Sequence, residues 1–345
     1  MQTRSKSGIF KPKTIFNLST VVHTPDPTCF SVANKHFKWR AAMEEKFNAL
    51  ISNHNWDLVP FDADNNVVGS KWIYKTKYLP DGSVDRYKAR LVAQGFNQQA
   101  GIDFTETFSP VVKLTTVRIV LTLAVSFGWP IRQLDVKNAF LHGHLTEEVY
   151  MHQPPGFVHP QFPHQLCRLH KAIYGLKQTP RAWFHRFSNF LLSHGFACSR
   201  SDNSLFMFRR QSDIIYLLLY VDDIIVTGNS SKLVSHFLSL LAKCYAMKDL
   251  ADLHFFLGIH ATRTSSRLFL SQNKYISDLL LRFHFHTLKP VRSPLPSRTK
   301  LSLTDGELLA DATEYMSMVS TGHLHAWTFS TGLLCSPSSY CLFRR

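Results

Sequence analysis

Tyr220-Val221-Asp222-Asp223 decides how this chain is read. Two adjacent carboxylates sit between the apolar runs Ile214-Ile215-Tyr216-Leu217-Leu218-Leu219 and Ile224-Ile225-Val226-Thr227-Gly228. Both flanks are rich in β-branched and aromatic residues and read as buried strands, which puts Asp222 and Asp223 in the turn of a β-hairpin. Ionised acids at the tip of an apolar hairpin are unfavourable unless water, a cation or a base neutralises them. Taken alone, such a turn is more often a solvated Asp-Asp pair, so the chain on either side has to decide.

Immediately upstream, residues 180–194 carry Trp183, Phe184, Phe187, Phe190 and Leu191 along one helical face, stopped by Gly195, and 204–208 read as a strand. Residues 131–136 form a strand ending at Asp135 and Val136, followed by Asn138-Ala139-Phe140-Leu141. Downstream come a helix over 231–246, strands over 255–259 and 268–270, and a helix over 274–285. Towards the start lie a helix over 39–52, a strand at 56–59 and a buried helix over 115–127. Strands over 71–78 and 87–93 are joined by the turn Pro80-Asp81-Gly82. Residues 167–173 are strand-like and end at Tyr174-Gly175. A strand bearing Asp135, then a helix, then a hairpin bearing Asp222 and Asp223 predicts an α+β split β-α-β sheet with helices packed on one side.

Composition narrows the partners. A hydrophobic fraction of 45% over 345 residues suits a globular chain with a real core, and a formal charge of +15 spread along the sequence favours a polyanion. The 71–93 hairpin presents Lys71, Lys75, Lys77, Arg86, Lys88 and Arg90 among aromatic residues, a pattern able to grip phosphates. Cys29, Cys167, Cys198, Cys244, Cys335 and Cys341 form no Cys-x-x-Cys pair, which argues for reduced intracellular thiols over a zinc ribbon or a disulfide framework. No secretory signal is evident, and the most apolar stretch, 214–226, is too short to span a bilayer and is split by two acids. Neither a Walker loop nor a dinucleotide fingerprint is present. An intracellular protein without a membrane partner is expected.

Three aspartates on neighbouring strand ends suit one reaction class. Phosphoryl transfer from a nucleoside triphosphate needs charge neutralised at the attacking oxygen and at the triphosphate. Two Mg²⁺ ions roughly 3.5–4 Å apart supply both. Such ions take carboxylate oxygens while keeping waters and phosphate ligands. On this reading Asp135 and Asp222 are the bridging pair, and Asp223 is a looser third acid.

The acidic box resembles that of retroelement reverse transcriptases, and longer stretches resemble copia-type (pseudovirus) long-terminal-repeat retrotransposons. These are Arg86-Tyr87-Lys88-Ala89-Arg90-Leu91-Val92-Ala93-Gln94-Gly95, Glu106-Thr107-Phe108-Ser109-Pro110-Val111-Val112-Lys113, Gln133-Leu134-Asp135-Val136-Lys137-Asn138-Ala139-Phe140-Leu141 and Tyr174-Gly175-Leu176-Lys177-Gln178. Met247-Lys248-Asp249-Leu250 and Phe256-Leu257-Gly258-Ile259 continue the order. The resemblance implies a right-hand polymerase with palm and fingers and an incomplete thumb and connection. It further implies an RNA or DNA template with a primer, deoxynucleoside triphosphates and two Mg²⁺ ions as partners. It makes Asp135, Asp222 and Asp223 the metal-binding acids and Phe140 the residue that excludes a ribose 2′-hydroxyl. Lys88, Arg90, Tyr174 and Gly175 fall in the nucleotide site, and Phe256, Leu257 and Gly258 at the primer grip.

Four segments are expected along the chain. They are a flexible linker from the integrase side over 1–38, reverse transcriptase over 55–299, the start of a connection to ribonuclease H over 300–319, and an aberrant tail over 320–345. The family's integrase and ribonuclease H regions are absent from this reading. The tail departs from the pattern near Ser320 as a frameshift would, and Ala251 replaces a usual glycine. A catalytically inactive remnant that at most binds nucleic acid is the alternative.

Overall fold

The computed structural model describes residues 25–79, 83–264, 267–282, 313 and 341–344. In chain order the elements begin with α1 (Phe30–Ala33), α2 (Phe37–Ser52), β1 (Trp56–Val59), β2 (Val67–Val68), β3 (Ser70–Tyr78) and β4 (Val84–Ala93). They continue with α3 (Leu114–Ser126), β5 (Ile131–Val136), β6 (His144–Met151), β7 (Leu166–Lys171), α4 (Thr179–Ser193) and β8 (Phe196–Cys198). Next come β9 (Leu205–Arg210), β10 (Asp213–Tyr220), β11 (Asp223–Gly228), α5 (Ser231–Cys244) and β12 (Met247–Asp252). The last are β13 (Phe255–Phe256), β14 (Ile259–Arg263), β15 (Arg267–Ser271), α6 (Asn273–Arg282) and β16 (Cys341–Arg344). The Pro80-Asp81-Gly82 turn, the first part of the expected linker, the end of the 274–285 helix and nearly all of 300–345 lie outside the described residues.

The chain divides into two compact units, Met1–Asp103 with Glu148–Leu176, and Phe104–Glu147 with Lys177–Arg345. In the first, α2 buries Trp39, Met43 and Leu50 and turns Trp39 and Met43 onto the β3–β4 ribbon. Trp39 meets Tyr74 and Tyr87 edge-on at 5.2 and 4.7 Å, and the Tyr74 hydroxyl donates to Met43 Sδ. A four-stranded sheet in the order β1-β7-β6-β2 completes this unit.

Within the segment expected as a linker over 1–38, the described residues from Pro25 onward are held by specific contacts. Asp26 accepts hydrogen bonds from Thr76 N–H (2.7 Å) and Thr76 Oγ1 (2.6 Å) and pairs with Lys75 at 3.2 Å. Ala33 is fully buried, and the Phe30 ring fills the space that a Cβ on Gly156 would need. One carboxylate with three partners fixes a segment without any hydrophobic period, so periodicity could not find it.

The second unit is built on a six-stranded antiparallel sheet in the order β12-β5-β11-β10-β9-β8. Alternate residues of each strand point to opposite faces. Leu134, Val136, Ile215, Leu217, Leu219, Ile224 and Val226 pack on Trp183, Phe187 and Leu191 of α4 and Val234, Phe237 and Leu241 of α5. Ile131, Leu218 and Ile225 pack with Val117, Val120, Leu121 and Ala124 of α3 and with Phe256 and Ala261. Helices therefore cover both faces, not one side as expected. This is the physical reason that β10 and β11 read as continuous apolar runs instead of alternating.

Candidate active site

The β10–β11 hairpin closes with Tyr220 opposite Asp223, leaving Val221 and Asp222 as the two turn residues. Val221 adopts φ 56°, in the left-handed region where a β-branched side chain is poorly accommodated. A two-residue hairpin with positive φ at its first central position ordinarily places glycine there. Two hydrogen bonds hold the turn. Trp183 Nε1–H donates to the Val221 carbonyl at 2.7 Å, and Val136 N–H donates to the Asp222 carbonyl at 2.9 Å.

Across β11 and β5, Asp223 lies directly opposite Asp135. Both are half-buried, while Asp222 is exposed at the turn. Burial first, and then the neighbouring charges of Asp222 and Asp135, push the Asp223 carboxyl up to about 6, against the opposing pull of a hydrogen bond with Gln133. The Gln133 amide also donates to the Phe255 carbonyl at 2.8 Å, which ties this face of the sheet to β13. Asp135 and Asp222 are the expected bridging pair; the register sets Asp223 directly opposite Asp135 and leaves Asp222 in the adjoining turn. Among the described residues, no three His, Cys, Asp or Glu side chains are gathered around a single metal position. That arrangement still fits Mg²⁺, which takes one or two carboxylates and completes its shell with water and substrate phosphate.

Phe140 sits in a 3₁₀ turn, Ala139–His142, entered through Asn138 at φ 55°. Its ring is half-buried against the core on the α4–α5 side. At the end of this turn a Cβ on Gly143 would come 2.7 Å from Trp183 N and 2.8 Å from the Ala182 carbonyl carbon, so only glycine lets α4 approach so closely. Further along, the expected 255–259 strand is broken into β13 and β14 by Leu257 (φ 51°) and Gly258 (φ 78°). Phe256 is buried beneath them and meets Tyr220 edge-on at 6.4 Å, whereas Leu257 and Gly258 stand half-buried at the tip.

In the other unit, cross-strand register sets Ile73 opposite Arg90, Lys75 opposite Lys88 and Lys77 opposite Arg86. Strand alternation puts all of these, with Lys71, on one face of the ribbon, because Trp72, Tyr74 and Thr76 are buried on the other. Lys46 of α2 carries no motif in the sequence. Burial, then Lys88 and Arg90, push its ammonium down to about 8. The Arg90 guanidinium lies 5.8 Å from the centre of the Tyr174 ring. The Tyr174 carbonyl accepts from Ala93 N–H at 2.7 Å, and Gly175 (φ 92°) passes so close to Ala93 that a Cβ there would overlap its carbonyl oxygen. Arg90, Tyr174 and Gly175 are thus brought together, with Lys88 two residues along the same strand face.

Asp135 and Asp223 face each other across the central strands of an antiparallel sheet flanked by helices, with Asp222 in the adjoining turn, in an α+β fold. The chain belongs to the reverse transcriptase (RNA-dependent DNA polymerase) family, whose pattern matches residues 53–297. It is 49% identical over 330 residues to the retrovirus-related Pol polyprotein from transposon RE1 of Arabidopsis thaliana, covering 95% of this chain and 22% of that protein. To the corresponding polyprotein from transposon RE2 of the same plant it is 50% identical over 330 residues, covering 95% and 23%. The chain therefore spans less than a quarter of the length of these relatives. A telomerase structure from Candida albicans aligns with a TM-score of 0.34 at 9% identity over 64% of this chain and 48% of that one, too loosely to bear on the fold. The copia-type resemblance of the ordered motifs agrees with the polyprotein relatives, and reverse transcriptases generally use divalent metal ions. No helix among the described residues is long and apolar enough to cross a membrane.

Proposed function

We propose that this chain is the polymerase segment of a copia-type retrotransposon Pol polyprotein. It extends a primer on an RNA or DNA template by nucleotidyl transfer from a deoxynucleoside triphosphate. The observation that carries the reading is the placement of Asp223 opposite Asp135 with Asp222 beside it. Burial and the neighbouring charges of Asp222 and Asp135, which raise the affinity of Asp223 for a proton, also raise it for a hard cation. Asp135, Asp222 and Asp223 would hold two Mg²⁺ ions, which when bound neutralise the attacking 3′-oxygen and the triphosphate.

The chain's other residues orient the reactants. Lys88 and Arg90, with Lys46 behind them, offer charge to phosphate, and Arg90 is steadied by the Tyr174 ring. Tyr174 and Gly175 line the nucleotide. Half-buried Phe140 is rigid enough to refuse a 2′-hydroxyl. The Leu257–Gly258 tip, anchored by Phe256, touches the primer. The basic face from Lys71 to Lys77 runs about 20 Å at roughly 3.3 Å per residue, longer than one triphosphate needs, and so also serves a nucleic-acid backbone. The setting would be the cytoplasm, in a virus-like particle.

Primer extension on an RNA template with Mg²⁺, comparing the natural chain with Asp222→Asn, tests the reading. Incorporation should fall by about 10²–10³-fold, as expected when one preorganised charge is removed. Equal incorporation in both proteins refutes the assigned site. None in either favours a remnant that at most binds nucleic acid.

A further inference from the structure

We propose that Trp183 is the positioning residue of the acidic turn: its indole N–H holds Val221 in its left-handed conformation and so fixes where Asp222 and Asp223 point. Its consequence for catalysis rests on the polymerase reading; the geometry does not.

The turn does not hold itself. A β-branched residue at φ 56° is strained, and such a conformation persists only where the surroundings impose it. Here the surroundings act on two consecutive carbonyls. Trp183 takes that of Val221 from α4, and Val136 takes that of Asp222 from β5, one residue beyond Asp135. The second bond ties the turn to the strand carrying the facing acid, and the first ties it to the core.

Trp183 is suited to be the fixed end. It is 1% exposed, meets Phe187 at 5.2 Å, and receives Tyr245 edge-on at 5.6 Å. Gly143 lets the backbone at Ala182 and Trp183 press against the 3₁₀ turn bearing Phe140. One buried ring thus anchors the turn with two of the acids, and its backbone abuts the turn with the half-buried Phe140. A buried indole N–H needs some acceptor. The acceptor found here is the carbonyl of the strained residue itself, which turns a satisfied core group into a brace.

The experiment compares the natural chain with Trp183→Phe, Val221→Gly and the double variant. Each is assayed by primer extension, by Mn²⁺ titration followed by electron paramagnetic resonance, and by thermal melting. Phe keeps the ring and loses the donor. Expected for Trp183→Phe is a roughly tenfold fall in kcat at unchanged KM for template–primer, about one buried hydrogen bond, with weaker Mn²⁺ binding. Glycine at 221 needs no brace, so the double variant should regain most of both. Ordinary core packing would instead lower Tm while leaving kcat per folded molecule and Mn²⁺ affinity intact. That result, or a double variant no better than Trp183→Phe, overturns the proposal. If Trp183→Phe does not fold, Val221→Gly alone decides: release of strain raises Tm, and a lowered Tm overturns the idea. An inactive natural chain would refute the polymerase reading, while Mn²⁺ binding would still report on the turn.

Discussion

Replacing Asp223 with asparagine should stabilise this protein while destroying its proposed chemistry. Asp223 faces Asp135 across β11 and β5. Directly opposed strand residues have Cβ atoms about 5 Å apart, and two like charges at that distance cost roughly 3 kcal/mol at an effective dielectric near 20. The rise of the Asp223 carboxyl from 3.8 to about 6, which burial causes first and the charges of Asp222 and Asp135 after it, corresponds to about 3 kcal/mol at 1.36 kcal/mol per unit, of which repulsion is one part. Partial exposure to solvent reduces the usable part to about 1–2 kcal/mol. The sign follows from proton binding. Between pH 4 and 6 the folded state holds the Asp223 proton more tightly than the unfolded chain does, so this group's contribution falls as pH rises through that window. The penalty is fully present above about pH 6. The asparagine amide keeps an acceptor for Gln133 and removes the charge. Without divalent cations at pH 7.5, Asp223→Asn should therefore raise Tm by about 2–8 °C, at roughly 2–4 °C per kcal/mol. The gain should vanish at pH 4. Mg²⁺ should stabilise the natural chain more than the variant. Calorimetry at both pH values, with and without Mg²⁺, measures all of this. An unchanged or lowered Tm at pH 7.5 would refute the claim that Asp223 is held under charge repulsion.

Three other perturbations read separate parts of the fold. Phe140→Ala should relax discrimination against ribonucleotides on the order of 10–100-fold and cost about 1–2 kcal/mol of stability for a half-buried ring, read by paired dNTP and rNTP incorporation and by melting. Unchanged discrimination would leave Phe140 as packing alone. Gly143→Ala places a methyl against the backbone of Ala182 and Trp183 and should cost about 1–3 kcal/mol in chemical denaturation; no loss would show that α4 can retreat. Lys77→Ala with Arg86→Ala should lower the salt dependence of single-stranded RNA binding by about 1.4 in log–log slope if both meet phosphates. An unchanged slope in a filter-binding titration would move the interface off this face.

Much of this was legible in the chain. Apolar runs around Tyr220–Asp223, the strand to Asp135 and the aromatic face of α4 all carry strong local signals, and their elements lie where those signals fall. Other parts are written only in tertiary contacts. β6 and β12 are too polar, and β8 too short, to stand out from loops, and they become strands because a partner offers backbone hydrogen bonds. The break at Leu257–Gly258 depends on one non-glycine residue taking a positive φ, which no periodicity reports. That Asp223, not Asp222, faces Asp135 is a matter of register. Trp183 read as one more core aromatic because its ring is one; only the direction of its N–H sets it apart. Lys46 did leave a trace, as a charged residue between Met43 and Leu50 on an apolar helical face. The continuous run Leu217-Leu218-Leu219 likewise signalled cover on both faces of the sheet.

That double cover bears on how the central hairpin finds its pairing during folding. Strands buried on both faces lack the inside–outside alternation that normally penalises a one-residue slip, so β10 and β11 could slide with little change in buried apolar area. The aspartates supply the missing penalty, since a slipped hairpin would draw an ionised carboxylate between apolar layers. The acids at the turn thus serve as an end stop for strand alignment before any substrate is present. A lineage that lost the chemistry would still be under pressure to keep charge at Asp222 or Asp223 for as long as the hairpin had to fold.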